Sequence, residues 1–190
     1  MKRTLVLTTI IITASLAAMA QETAPVPVAE AGVNFSFIRQ SPGSGVPAFT
    51  APGGSATFVY NFNRIFSVVG DVGGYHNAGV NNFNPTTTEY LFGPRLSLRK
   101  SARYTPYVQA LFGGAHVSSS LADANGNPVT GNSFAAAYGG GLDISISKHF
   151  AVKPFQLEYM TSQIPNVWAS STFQNNLRFS AGVVFRIGSK

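Results

Sequence analysis

His116 and Ser118 stand two residues apart, a spacing at which an imidazole and a hydroxyl can act together. Both residue types can take part in nucleophilic catalysis. The pair also needs an acid to orient the imidazole. No Glu lies between Ser118 and Glu158, and only Asp123 could take that place. The chain has no cysteine, which removes disulfides, thiolate metal sites and a thiolate nucleophile. Asp123 to Asn127 opens like a calcium loop. Pro128 stands where that loop needs Gly, however, and Phe134 where it needs Glu, so an Asn-Gly turn is the simpler reading. His76, His116 and His149 fall in separate segments, and Gly139 to Gly141 lies inside a strand-like run. Neither a zinc site nor a phosphate loop is expected, and no cofactor.

A second set of charged residues has a different character: Asp71, Glu89, Arg95, Asp143, Glu158, Arg178 and Arg186, with Arg99 at its margin. Each shares its parity with small or polar residues, and the opposite parity is apolar. The last run, Asn175 to Ile187, shows the pattern. Leu177, Phe179, Ala181, Val183, Phe185 and Ile187 alternate with Asn176, Arg178, Ser180, Gly182, Val184 and Arg186. A period of two places the sets on opposite faces of one strand. The run is long enough for a tilted membrane-spanning strand.

Seven similar runs precede it, near 30–38, 55–62, 65–75, 88–99, 105–117, 134–147 and 151–161. Short turns follow the second, fourth and sixth. The stretches 40–54, 76–87, 118–133 and 162–173 are long and rich in Gly, Pro, Asn and Ser, and read as loops. Eight strands put both termini at one end and the four long loops at the other. A free last strand invites edge pairing, and closure onto the first removes the edge. The expected fold is all-β: a closed eight-stranded antiparallel up-and-down transmembrane β-barrel.

Composition agrees. Charged residues are only 11% of the chain and aromatics 12%, whereas a soluble surface carries far more charge. After the leader no apolar run is long enough for a transmembrane helix. Residues 1–20 read as a signal peptide: Lys2 and Arg3, an apolar run, then Ala18-Met19-Ala20. That leader supplies two units of the formal net charge of +6, and the remaining basic residues do not cluster with aromatics, so no nucleic-acid partner is expected. Residues 21–29, with Pro25 and Pro27, read as a flexible segment, and 30–188 as the barrel.

Periodicity does not say which face is inside; a soluble barrel of lipocalin type would enclose the apolar one. The polar face is built from Gly, Ala, Ser, Gln and Asn, which suit a narrow lumen filled by side chains, so it is placed inward. The inward charges nearly balance in sign. Enclosed charges must be paired, so an ionic network plugging the lumen is expected, with Glu89, Arg99 and Arg186 able instead to reach wet ends. Arg64, Lys100, Arg103, Lys148, Lys153 and Lys190 mark a basic rim at the turn end, with Lys153 aimed at lipid by its parity.

With its leader, its eight alternating runs, Pro106 to Gly113 (Pro-Tyr-Val-Gln-Ala-Leu-Phe-Gly) and its closing strand, the chain resembles the small eight-stranded outer-membrane barrels of the OmpA/OmpX type. The resemblance implies a Gram-negative outer membrane and contact with its lipids and lipopolysaccharide. It also implies insertion by the barrel assembly machinery, which would read Phe185 slightly inside the terminus. A monomer with a structural or surface-interaction role and no open pore is expected. The alternative comes from a second resemblance: outer-membrane lipid A deacylases are barrels that use a His-x-Ser pair with a downstream Glu, which would give His116 and Ser118 catalytic roles.

Overall fold

The computed structural model of the protein describes residues 25–40, 48–76, 86–122, 128–162 and 174–189. They form β1 (Ala29–Gln40), β2 (Phe49–Asn61), β3 (Phe66–His76), β4 (Thr86–Ser97), β5 (Tyr104–Ala122), β6 (Pro128–Ser145), β7 (Phe150–Ser162) and β8 (Gln174–Ile187). Every strand pairs antiparallel with its sequence neighbours, and β1 also pairs with β8, so the sheet closes into an eight-stranded barrel. Closure satisfies the ladder all round, which a sheet in hydrocarbon requires.

Burial alternates residue by residue along β1 and β4, as a period of two demands. The outward set is apolar, with Val33, Phe58, Val72, Phe92, Val108 and Phe185 among its exposed members. Ring pairs such as Phe35 with Phe37 (4.9 Å) and Phe112 with Tyr138 (5.6 Å) add edge-to-face contacts along this wall. On β5 the apolar outward run goes from Tyr104 to Gly114. At about 3.3 Å per residue and a tilt of ~40°, it rises roughly 25 Å, the height of an outer-membrane apolar band.

Two expected loops are in part strand. The stretch 40–54 gives β2 its first residues, where Pro52, Gly53 and Gly54 pair with Phe37, Ser36 and Phe35. Gly53 belongs there because the Tyr75 ring packs where its side chain would be. The stretch 118–133 is largely ladder, running from Ser118 opposite Thr130 to Ala122 opposite Pro128. The calcium-like segment between them, 123–127, lies outside the described residues.

Residues 25–28, expected to be part of a flexible lead, are held against the barrel end. Val28 donates its amide to Ile187 O at 3.0 Å and accepts from Asn61 N at 3.0 Å, and Val26 is buried. Gly188 leaves β8 with φ 67° against Val28, a backbone conformation that glycine accepts without strain.

Lys153 corrects a second expectation. Strict alternation aims it at lipid, yet it is buried in the lumen. The β7–β8 register shifts between Lys153 and Gln156, and Pro154 and Phe155 both face outward there. Pro154 cannot donate to the ladder, so the strand bulges and the parity of everything N-terminal to it inverts.

Candidate functional site

The lumen is filled by side chains in three zones. At its centre Arg178 of β8 is fully buried. Its Nε donates to Glu158 Oε2 at 2.7 Å, and its Nη1 donates to Asp71 Oδ1 and to Tyr75 Oη, both at 2.9 Å. Glu89 Oε2 lies 3.7 Å from Nη1. Three strands therefore present carboxylates to one guanidinium. Glu158 also accepts from Gln109 Nε2 and Gln156 Nε2, each at 2.7 Å. Gln109 in turn accepts from Arg95 Nε at 2.8 Å, and Gln156 Oε1 accepts from Tyr107 Oη and Lys153 Nζ. Arg95 stacks 4.1 Å over the Tyr107 ring. This web ties β3, β4, β5, β7 and β8 together across the lumen.

A second ionic group closes the turn end. Arg99 Nη2 donates to Glu30 Oε1 at 2.8 Å and to Asn61 Oδ1 at 2.9 Å, and Asn61 Nδ2 donates to Glu30 Oε1 and to Pro27 O. Arg186 Nε lies 3.9 Å from Glu30 Oε2, and its Nη1 donates to Ser145 Oγ at 2.5 Å. Towards the other end, the inward residues are mixed, with Gln40, Thr87, Ser162 and Asn176 buried there along with apolar ones. Ile38, Ala51, Tyr75, Ala115, Ala135 and Met160 form part of one buried cluster.

Of the charged residues marked in the sequence, the structure brings Asp71, Glu89, Glu158 and Arg178 into one contact group. It places Arg95 one glutamine away and Arg186 beside Glu30. Asp143 is buried, and its Oδ1 has no hydrogen-bond partner among the described residues. Glu89, Arg99 and Arg186 are all buried. Sequence reading missed Glu30, the anchor of the lower group, although it shares parity with Asn34 and Ser36. It also missed Lys153, whose bulge leaves only Pro154 as a signal. The large inward side chains Tyr75, Tyr107 and Met160 were overlooked on faces described as small.

His116 and Ser118 lie outside this lumen. They share parity with Phe112, and their rows pair with Thr88 and Asn132, and with Thr86 and Thr130. His116 Nδ1 donates to Asn132 Oδ1 at 2.8 Å, an amide where a catalytic histidine would meet a carboxylate. The row below pairs Tyr90, Gly114 and Phe134. The outward surface therefore changes from aromatic to polar between these two rows, and this marks the upper edge of the apolar band. Above it the β5–β6 ladder continues past Thr86, where β4 begins, and past Ser162, where β7 ends.

At the opposite end Arg64, Lys100, Arg103 and Lys148 are exposed in the short turns. Lys190 lies outside the described residues. Among the described residues no group of three or more His, Asp or Glu could hold a metal ion.

Residues 6–186 match the family model described as the outer membrane protein beta-barrel domain. The chain belongs to this family. The solved structures similar to this barrel agree in fold. Neisserial surface protein A superposes with a TM-score of 0.67 at 14% identity, covering 84% of this chain and 97% of its own. Ail, the attachment invasion locus protein of Yersinia pestis, gives 0.55 at 14% identity, covering 86% and 99%. The outer membrane protein OprG from Pseudomonas aeruginosa gives 0.52 at 9% identity, covering 87% and 98%. No curated protein matches the chain. The protein is thus an outer-membrane β-barrel, and the apolar wall is its membrane face.

Proposed function

We propose that the barrel is a non-enzymatic surface-display scaffold with no open pore, acting through the polar hairpin of β5 and β6. The observation that carries this reading is the change of the outward rows from Tyr90, Gly114 and Phe134 to Thr88, His116 and Asn132, with the ladder continuing beyond. A strand pair that outlasts its lipid-facing residues and both neighbouring strands presents backbone and uncharged polar side chains to an aqueous exterior. Binding residues on such scaffolds sit on protruding segments held by a rigid frame. Thr86, Thr88, Thr130 and Asn132 suit neutral polar contacts and give little electrostatic capture. Ail is named for attachment, which is in keeping with this reading, although the two proteins share only the fold. Export by the leader 1–20, assembly of β8 by the barrel assembly machinery, a monomeric state and an outer leaflet of lipopolysaccharide belong to the same proposal. His116, bonded to an amide, serves in it as a hairpin residue, as does Ser118.

The test shortens the hairpin. Residues 119–129 are replaced by Asn-Gly, which turns a two-residue hairpin readily. Cells displaying the full chain are expected to be retained on immobilised neutral glycans or extracellular-matrix proteins. Cells displaying the shortened chain at equal level are expected to fall to the background of cells without the barrel. Equal retention of both would refute the reading.

A further inference from the structure

Residues 25–28 cross the barrel end where the short turns lie. Val28 extends β1 by one ladder position, with its amide on Ile187 O and its carbonyl on Asn61 N, each at 3.0 Å. There the ladder stops. Pro25 and Pro27 have no N–H to donate, so the chain does not continue as a paired strand. It turns over the mouth instead. Pro27 O accepts from Asn61 Nδ2 at 2.9 Å. Asn61 is a buried lumen side chain, and its Oδ1 accepts from Arg99 Nη2 and from Ser67 Oγ. Val26 is 5% exposed, whereas Val33 on the outer wall is 66% exposed. Val26 is therefore packed on protein at the mouth and not on the lipid-facing wall.

Beneath this strap lies the lower ionic group. Glu30, Asn61, Ser67 and Arg99 are all buried, and Glu30 holds Arg99 at 2.8 Å. Above them the web around Arg178 fills the lumen, so water reaches the group from the turn end, through the place that Val26 and Pro27 cover. The covering is balanced between opposing terms. Docking buries the Val26 side chain, and it also keeps water from charged groups, which costs desolvation. Segments of this kind open locally while the rest of a fold stays intact. From Ala29 onward β1 keeps both neighbours, β2 and β8, whether or not the strap is docked.

We propose that residues 25–27 are a lid, hinged at Val28, whose opening admits water and small ions to Glu30 and Arg99. The open lid gives a vestibule and not a channel, because the Arg178 web closes the lumen above it. Ser67 lies on β3 directly below the lid, fully buried against Asn61. The chain has no cysteine, so Ser67→Cys supplies a single thiol there. The full-length variant is refolded in detergent micelles and treated with a small charged methanethiosulfonate, and intact mass follows the modification. With the native strap, modification at position 67 is expected to be roughly tenfold slower, or more, than that of Ala102→Cys in the exposed β4–β5 turn. Adding Val26→Lys, which puts a charge where an apolar side chain is buried, is expected to speed modification at position 67 by about tenfold. Removing residues 21–27 is expected to do the same. Neither change is expected to alter the rate at Ala102→Cys or the heat-modifiable gel mobility. Equal rates at position 67 with the strap native, substituted and absent would overturn the proposal. So would a native-strap rate equal to that of Ala102→Cys. Loss of the folded barrel in both strap variants would also overturn it, because the strap would then be a part of the fold that cannot open.

Discussion

Replacing Arg178 with Met is expected to destabilise the folded barrel by about 3–5 kcal/mol, the cost of breaking a buried ion pair from one side. The guanidinium is fully buried and holds Asp71 at 2.9 Å and Glu158 at 2.6 Å, with Glu89 at 3.7 Å. Without it, three buried carboxylates face one another with no cation in contact. Each must either keep a desolvated charge or take up a proton, and both cost free energy. The network as a whole need not add net stability, since a buried ion pair gives back much of its Coulomb energy as desolvation. Removing both signs should therefore recover most of the loss. Arg178→Met combined with Asp71→Leu and Glu158→Met is expected to regain more than half of that loss, with Glu89 left as the one carboxylate without its cation. Urea titration of the refolded barrel in lipid vesicles, read by heat-modifiable gel mobility, measures both. A triple variant no more stable than the single one would show that the ionic web is not what the lumen requires. In planar bilayers the wild-type protein is expected to show no steady ohmic conductance, because Arg178, Tyr75, Ile38, Leu111 and Met160 occupy the lumen. A reproducible large conductance would contradict the proposed sealing.

Placing an arginine on the wall is the second large effect. Val108 points outward from the middle of the apolar run on β5 and is 59% exposed. In water, Val108→Arg would be harmless. At the midplane of a bilayer the same change is expected to cost about 2–4 kcal/mol, falling to roughly 0–1 kcal/mol near the interface. Thr130→Arg, in the polar rows above the band, supplies the second value. The two variants lie on the same wall of the barrel, so their difference reports depth. Urea unfolding from vesicles should separate them by about 2 kcal/mol or more. Equal and negligible costs would mean that the apolar wall does not meet lipid.

Much of this architecture was legible because a period of two is a local property. Leu177 to Ile187 and Val33 to Phe37 declare their faces without reference to the rest of the chain. Closure was legible because the last strand had to find a partner. The places where reading failed are those where a neighbour decides. Pro52 and Gly53 look like loop residues, and they are strand because β1 pairs with them and Tyr75 needs the space. Lys153 has lipid-facing parity by counting, and the bulge at Pro154 turns it inward. Glu30 was readable by parity, but its role follows only from Arg99 and Asn61 meeting it across the barrel end. The content of the lumen was misjudged in the same way. The small residues were seen, while Tyr75, Tyr107 and Met160 on the same faces were not. An eight-stranded lumen needs such bulk to be filled. His116 and Ser118 were legible as residues of the fifth strand near its loop end, but the amide of Asn132 beside His116 could be seen only once β6 was in register.

The claim at the centre of this account is that the β5–β6 hairpin stands outside the cell while the short basic turns stand within the envelope. The chain has no cysteine, so a single one can be introduced at will. Thr130→Cys on the hairpin and Ala102→Cys in the β4–β5 turn are both exposed positions. Intact cells displaying each variant are treated with a membrane-impermeant maleimide. The hairpin cysteine is expected to be labelled at once, and the turn cysteine only after the outer membrane is permeabilised. Labelling of Ala102→Cys in intact cells, with Thr130→Cys protected, would invert the barrel and contradict the account.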